Sequence, residues 1–276
     1  MSTINCNGTL LDLSTPAVMG IINITDDSFF ADSRTKQLDA MLEKAAQHLA
    51  DGARILDIGA QSTRPGAVDV GEATELERLI PAVTALVERF PGVIISIDTY
   101  YASVAEACIK AGAAIINDIS AGDMDKNMIA VAAATQAPYI AMHMQGTPAV
   151  MQQQPHYDDV TRDVLDYFIR KQEECLQAGI KDIIIDPGFG FGKTMAHNYT
   201  LMKHLDAFHI LGCPLLVGIS RKSMIYKLLE STPAEALNGT TVLNTLSLQA
   251  GAHILRVHDV KAAVEVVKIH AFMQAL

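Results

Sequence analysis

Three aspartates in this chain close short apolar runs: Leu56-Asp57, Ile95-Ser96-Ile97-Asp98 and Ile183-Ile184-Ile185-Asp186. A sheltered carboxylate accepts two parallel N–H bonds from an amino-pyrimidine edge, which a neutral side chain does less well. Asn117 closes a fourth run and Lys222 follows a fifth, so Asp98, Asn117, Asp186 and Lys222 supply acceptors and donors for a polar pocket that reads a nitrogen heterocycle. Arg256 and His258 leave the last run, beside the Ser220-Arg221-Lys222-Ser223 loop, where barrels of parallel strands usually bind phosphate. Arg64 could close over the same anion. Simpler roles stay open for each: Asp186 before a turn also reads as a helix cap, and Arg256 or Lys222 as a counter-charge for a rim carboxylate. The turn Pro187-Gly188-Phe189-Gly190-Phe191-Gly192-Lys193-Thr194 resembles a phosphate loop, but Gly188 to Gly192 is one residue too short for G-x-x-x-x-G-K-[ST]. An NTPase is rejected.

The polar groups need elements to gather them. Strand-like runs occur at 18–24, 54–58, 93–97, 113–116, 139–142, 183–185, 215–219 and 253–257, with helix-like segments at 38–50, 75–90, 103–110, 160–177 and 200–209 between them. Alternating strands and helices imply parallel pairing through right-handed crossovers. Eight such units in this length predict a (β/α)8 TIM barrel occupying 1–276 as a single domain. Asp51-Gly52-Ala53, Ala111-Gly112-Ala113, Ala178-Gly179-Ile180 and Ala250-Gly251-Ala252 each close a helix and lead into an even-numbered strand. Pro81 kinks the second helix or marks its first turn. Ahead of the barrel, Asn7-Gly8 between two short extended stretches predicts a β-hairpin that plugs the bottom.

Residues just past the runs then share one rim: Asn23 with Asp26 and Asp27, Asp57, Asp98, Asn117 with Asp118, His143, Asp186, Ser220-Arg221-Lys222, and Arg256 with His258. The loops at 25–36 and 61–71 are long and polar, with Phe29 and Phe30 in the first, and read as lids. The alternative is ordinary solvated loops with Phe29 tucked into the core.

Composition narrows the function classes. Half of the 276 residues are hydrophobic, ample for one large core. A net charge of −10 argues against a nucleic-acid or anionic-membrane surface, while a local basic cluster still allows an anionic substrate. Cys6, Cys108, Cys175 and Cys213 are scattered without metal spacing, so structural zinc is not expected and reduced, packed thiols are. The sequence offers no signal peptide or membrane span, and a cytoplasmic location is expected.

With these residues in view, the chain resembles the pterin-binding family, specifically its dihydropteroate synthases. The resemblance rests on Met19-Gly20-Ile21-Ile22-Asn23-Ile24-Thr25, Asp27-Ser28-Phe29, Asp57-Ile58-Gly59, Ser62-Thr63-Arg64-Pro65-Gly66-Ala67, Ser96-Ile97-Asp98-Thr99, Ile116-Asn117-Asp118-Ile119, Asp186 to Lys193, Ser220-Arg221-Lys222-Ser223 and Arg256-Val257-His258-Asp259-Val260. These lie in order over nearly the whole chain.

What the resemblance implies is a condensation of 6-hydroxymethyl-7,8-dihydropterin pyrophosphate with 4-aminobenzoate to 7,8-dihydropteroate and pyrophosphate, a step of folate biosynthesis. Asp98, Asn117, Asp186 and Lys222 would hold the pterin. Arg256 would stack on it and grip the pyrophosphate with His258, Val257 standing between them in the substrate-binding segment. Asn23 would bind Mg2+ together with pyrophosphate oxygens. Thr63, Arg64, Pro65, Phe29 and Ser223 would shape the aminobenzoate site, walled by Phe191. A homodimer and a sulfonamide target are implied too, and the apolar stretches at 243–249 and 264–276 offer a dimer face. Asp26, Phe30-Ala31-Asp32-Ser33 and Gln61 depart from the family pattern in and near the first two loops, which predicts altered loop behaviour and an untouched pterin pocket. Two alternatives share the fold: a methyltetrahydrofolate methyltransferase, and a pterin-binding paralogue without turnover.

Overall fold

The structure, a computed structural model, describes residues 3–24, 31–61, 69–147, 151 and 155–276, with 31–36 described by backbone only. The expected hairpin is β1 (Thr3–Cys6) and β2 (Thr9–Asp12), antiparallel with Cys6 opposite Thr9. Between them Asn7 and Gly8 take φ of 51° and 85°, the two positive values that a tight two-residue turn requires.

Eight strands follow: β3 (Ala17–Asn23), β4 (Ile55–Gly59), β5 (Ile95–Asp98), β6 (Ile115–Asp118), β7 (Tyr139–Met142), β8 (Ile183–Asp186), β9 (Leu216–Val217) and β10 (Ile254–Val257). All pair in parallel; β10 joins both β3 and β9, and a bridge from Ile185 to Leu215 joins β8 to β9, closing the circle. Around it run α1 (Ala31–Ala50), α2 (Glu72–Arg89), α3 (Ala102–Lys110), α4 (Met128–Thr135), α5 (Val160–Ala178), α6 (Met195–Lys203), α7 (Ser223–Tyr226), α8 (Leu237–Gln249) and α9 (Val260–Gln274). This is the (β/α)8 barrel. Gly52, Gly112, Gly179 and Gly251 all take positive φ where the chain turns back toward β4, β6, β8 and β10, as their repeated setting predicts.

Two helical elements differ from expectation. Helix α1 begins at Ala31 rather than near Leu38, because the stretch from 31 to 50 has no Gly or Pro and is rich in Ala, Lys, Leu and Gln. The segment expected as one helix at 200–209 is two pieces. Thr194 caps α6 by accepting from the His197 backbone at 3.1 Å, the helix stops at His204, and a 3-10 turn spans Leu205–Leu211. Pro81 lies well inside α2, past the first turn.

Alternation along the strands decides what each side chain can do. One set (Val18, Leu56, Ile58, Ile97, Ile116, Ile185, Val217, Leu255, Val257) faces outward and packs with the helices. The other set faces the barrel axis. Near the strand starts these inward residues are Met19, Ile55, Ile115, Ile140, Ile184, Leu216 and Ile254, and Ile4, Cys6, Leu11 and Leu13 from the hairpin segment join them in one cluster. The hairpin therefore plugs the bottom. Leu11→Ala is expected to cost roughly 2–5 kcal/mol in denaturant unfolding, with turnover close to the parent because the deleted methyls lie at the end of the barrel opposite the polar rim. Unfolding curves that coincide would remove the hairpin from the core.

Candidate active site

Further along most strands the inward positions turn polar. Asn23 of β3 stands beside Gly59 of β4, Gly59 beside Asp98 of β5, and Asp98 beside Asn117 of β6. Gly59 leaves a gap in this row: a Cβ there would lie 3.6 Å from both Asn23 Oδ1 and Asp98 Oδ2. Across the mouth, Arg256 of β10 donates through Nε to Asp57 Oδ2 at 2.6 Å and through Nη2 to Asp98 Oδ2 at 2.5 Å. Asn117 Nδ2 reaches the same Asp57 carboxylate at 3.2 and 3.3 Å. Asp186 and Arg256 border the space over Gly218, whose Cβ position is 3.8 Å from Asp186 Oδ2 and from Arg256 Cβ and Cδ.

Lys222 enters from the N-terminus of α7. Its Nζ donates to the Phe189 carbonyl at 2.5 Å and lies 4.6 Å from the centre of the Phe191 ring. The turn that presents these two groups is fixed from beneath. Gly188 takes φ of +71°, a Cβ there would stand 1.9 Å from the His143 carbonyl, and Asp186 Oδ1 accepts the Gly188 N–H at 2.8 Å. Fully buried Lys193 donates to the carbonyls of Gly188, Phe191 and His143 and to His143 Nδ1. Lys193 and His143 thus brace the turn, and burial pushes the pKa of each well below its ordinary value.

Charge in the mouth is finely opposed. Burial raises Asp98 to about 6, with Arg256 pulling it down and Asp57 pushing it up. Burial also raises Asp186, against the pull of Lys222. Lys222 itself is lowered to about 8 by burial, with Asp186 as the chief group holding it up. Burial opposes the charge on Arg256, yet Asp57 and Asp98 lift its pKa above the ordinary value. Among the described residues, three carboxylates facing two cations leave one negative charge, a setting that favours a cation.

The structure brings Asp98, Asn117, Asp186, Lys222 and Arg256 to one mouth, with Asn23 on its rim and Phe191 in an apolar cluster beside it, together with Tyr100, Ile119, Met142 and Met151. His258 follows β10 and meets Ser220. Ser223 is exposed at the start of α7. Val257 is corrected: Arg256 points inward, so the next residue points outward, and Val257 is fully buried among the barrel-to-helix side chains. The same parity removes Asp118 from the mouth; behind the strand it accepts from Ser120, Gly122 and Tyr139 instead. Arg221 forms a two-pronged pair with Asp259, at 2.8 Å on each prong. Phe29, Thr63, Arg64 and Pro65, with Asp26, Asp27 and most of both lid loops, lie outside the described residues. Asp57 was legible as a rim carboxylate but not as the hub that it is; its signal was an apolar run of the same kind as the one that marked Asp98.

The family model described as pterin binding enzyme matches residues 19–258. The dihydropteroate synthase of Escherichia coli is 47% identical over 264 residues, covering 95% of this chain and 93% of that one. That of Haemophilus influenzae is 42% identical over 265 residues, covering 95% and 96%. Among solved structures, Yersinia pestis dihydropteroate synthase with a sulfonamide drug complex superposes with a TM-score of 0.93 at 43% identity, over 99% of this chain and 100% of that one. Xanthomonas albilineans dihydropteroate synthase with 4-aminobenzoic acid gives 0.92 at 37% identity, over 100% and 99%. Sequence, fold and relatives agree, and the chain belongs to the pterin-binding enzymes, within their dihydropteroate synthase family.

Proposed function

We propose that this chain joins 6-hydroxymethyl-7,8-dihydropterin pyrophosphate to 4-aminobenzoate, releasing pyrophosphate. The observation that carries the chemistry is the single mouth holding Asp98, Asp186, Lys222 and Arg256. Asp186 and Asp98 accept N–H bonds from the pterin edge, while Asn117 and Lys222 satisfy its remaining polar atoms. Held edge-on by two carboxylates, Arg256 keeps the plane of its guanidinium for stacking on the flat ring.

The methylene C–O bond breaks with its electron pair leaving on pyrophosphate. Positive charge then spreads over the reduced pterin, where sheltered carboxylates favour it. The aryl amine lone pair forms the C–N bond, and the amine proton leaves to water or to the released anion. No Ser or Cys nucleophile is needed, because positioning is the remaining task. Arg256 and His258 hold the departing anion. Phe191 and Ser223 shape the aminobenzoate end together with Phe29, Thr63, Arg64 and Pro65, and because the Yersinia relative was solved with a sulfonamide drug, a sulfonamide is expected to bind this chain too.

Mg2+ fits this donor set. Among the described residues no three His, Cys, Asp or Glu side chains gather around a cation site, whereas Asn23 Oδ1 offers one neutral oxygen at the rim, beside Asp98 across the Gly59 gap. Mg2+ typically takes few protein oxygens and completes its shell with water and substrate phosphates. Bound there, it would supply Lewis-acid stabilisation to the pyrophosphate oxygens.

Purified protein with Mg2+ and both substrates should release pyrophosphate only when 4-aminobenzoate is present; pterin binding without product would favour the paralogue. The relatives reported above are synthases, which favours this reading over methyl transfer to a corrinoid. Lys222→Ala is expected to weaken pterin binding and kcat/KM together by about one to two decades, the worth of one charge-assisted hydrogen bond of ~1.5–3 kcal/mol. Calorimetry and steady-state rates that match the parent would take Lys222 out of the pocket.

A homodimer is part of the proposal. Val242 and Leu246 of α8 and Ile269 and Phe272 of α9 are 44–69% exposed on two helices that pack together, and a second copy would cover them. Among the described residues no helix is long and apolar enough to cross a membrane. Buried, unpaired Cys6, Cys108 and Cys175 suit the reducing cytoplasm.

A further inference from the structure

We propose that Arg221 is a positioning residue: clamped to Asp259, it holds the loop that carries Lys222 against the strand end that carries Arg256 and His258, and so fixes where the Lys222 ammonium stands in the mouth. This deepens the pterin-binding role given to Lys222 above and rests on it.

The sheet alone does not set that position. The paired register of β9 with β10 ends at Val217 and Leu255, short of Lys222 and His258, so side chains must tie the two segments beyond it. Lys222 Nζ reaches inward to the Phe189 carbonyl, whereas Arg221, one residue earlier, turns to Asp259. The backbone that sends neighbouring side chains to such different places costs this residue type something. Arg221 takes φ of +56°, a left-handed conformation that glycine adopts freely and a residue with a Cβ resists. Its side chain supplies the compensation. Nε and Nη2 donate to Asp259 Oδ2 and Oδ1 at 2.8 Å each, and Nη1 donates to the carbonyls of Pro233 at 2.8 Å and Ala234 at 2.7 Å. The Arg221 backbone N–H donates to Thr240 Oγ1 of α8 at 3.1 Å. A planar fork matches a carboxylate in this way and a single ammonium does not.

Asp259 points to the same device from the other side. An aspartate at a helix N-cap ordinarily accepts from the first-turn N–H groups. Asp259 stands at the N-cap of α9 and its side chain makes no such bond; both of its oxygens accept from Arg221 instead. One ion pair therefore joins the segment of Lys222 to the segment of Arg256 and His258.

The test uses the full chain. Arg221→Gly removes the clamp while suiting the left-handed backbone, so a loss cannot come from strain. Binding of 6-hydroxymethyl-7,8-dihydropterin pyrophosphate with Mg2+, read by calorimetry, and kcat/KM should fall together, roughly ten- to a hundredfold. The basic limb of kcat/KM against pH should also move upward from about 8. Burial lowers Lys222 to that value, with Asp186 and Asp98 supporting its charge and Arg256 opposing it, and a displaced ammonium recovers toward the ordinary lysine range. Arg221→Lys keeps a charge on one prong and should fall between. Asp259→Asn should reproduce the glycine profile, and the double variant should be no worse than the poorer single one, since one clamp is broken either way. An Arg221→Gly protein that melts earlier but keeps the parent pterin affinity or the parent basic limb overturns the proposal, and so do additive losses in the double variant. If the glycine variant does not fold, Asp259→Asn decides by the same two readouts. Failure of the role given to Lys222 looks different: Lys222→Ala then binds the pterin substrate as the parent does, whereas failure of the clamp leaves Lys222→Ala weak beside an unchanged Arg221→Gly.

Discussion

Replacing Arg256 with alanine is expected to cost the protein about 3–5 kcal/mol of stability and about two to three decades of kcat/KM. The guanidinium bridges Asp57 and Asp98 through separate nitrogens. Removing it leaves two buried carboxylates with Asn117 as the neighbour that still reaches Asp57. Asp98, raised to about 6 even with the cation beside it, loses its chief downward pull and rises further. A carboxylate whose folded pKa exceeds its unfolded value, roughly 3.9, contributes stability that is complete below the unfolded value and lost as pH rises through the folded one. The deficit of the variant should therefore be smallest near about pH 5 and largest above about pH 7, the reverse of ordinary acid denaturation. Arg256→Lys keeps one charge but cannot reach both carboxylates from a single point, so it should fall between. Denaturant melts at both pH values, beside kcat/KM, check this. A deficit independent of pH would mean that Arg256 does not govern Asp98.

Much of this mouth was legible because buried parallel strands announce themselves. Runs such as Ile183-Ile184-Ile185 have nowhere to go but a sheet covered on both faces, and a charge ending such a run marks a strand terminus. Parity was not legible. Asp98 and Asp118 look alike in their local sequence, yet one faces the axis and the other is knotted to Tyr139 and Ser120 behind the strand. Only the register, set by neighbours across the sheet, separates them. Val257 was misassigned for the same reason, since belonging to a segment that carries Arg256 and His258 says nothing of which way its own side chain points. Asp57 as hub depends on a partner 199 residues away, beyond the reach of any local pattern. Nor do polar side chains at 31–36 announce whether the backbone runs as loop or helix. There the absence of Gly and Pro was the better guide than charge, and α1 begins earlier than polarity implied.

Asp186→Asn should separate charge from shape more cleanly than any other change in the site. The amide oxygen can still accept the Gly188 N–H that Asp186 Oδ1 takes at 2.8 Å, so the turn bearing Phe189 and Phe191 should stand. Burial raises the pKa of Asp186; its ionised form is therefore a cost to the fold above the unfolded pKa. Loss of that charge should leave neutral-pH stability equal to the parent or slightly higher. Catalysis should behave oppositely. An amide N–H₂ would face the N–H donors of the pterin, and the negative charge opposite the developing cation would be gone. Turnover is expected to fall by about two to three decades. Lys222 gives a second, independent reading. It stands at about 8 with Asp186 as the chief group supporting its ammonium, so activity that needs the charged form declines as pH rises through about 8 in the parent and through a lower value in the variant. The basic limb of kcat/KM against pH reports that shift in the free enzyme. Full activity in the variant, or a basic limb that stays in place, would mean that Asp186 neither reads the pterin nor sustains the charge of Lys222.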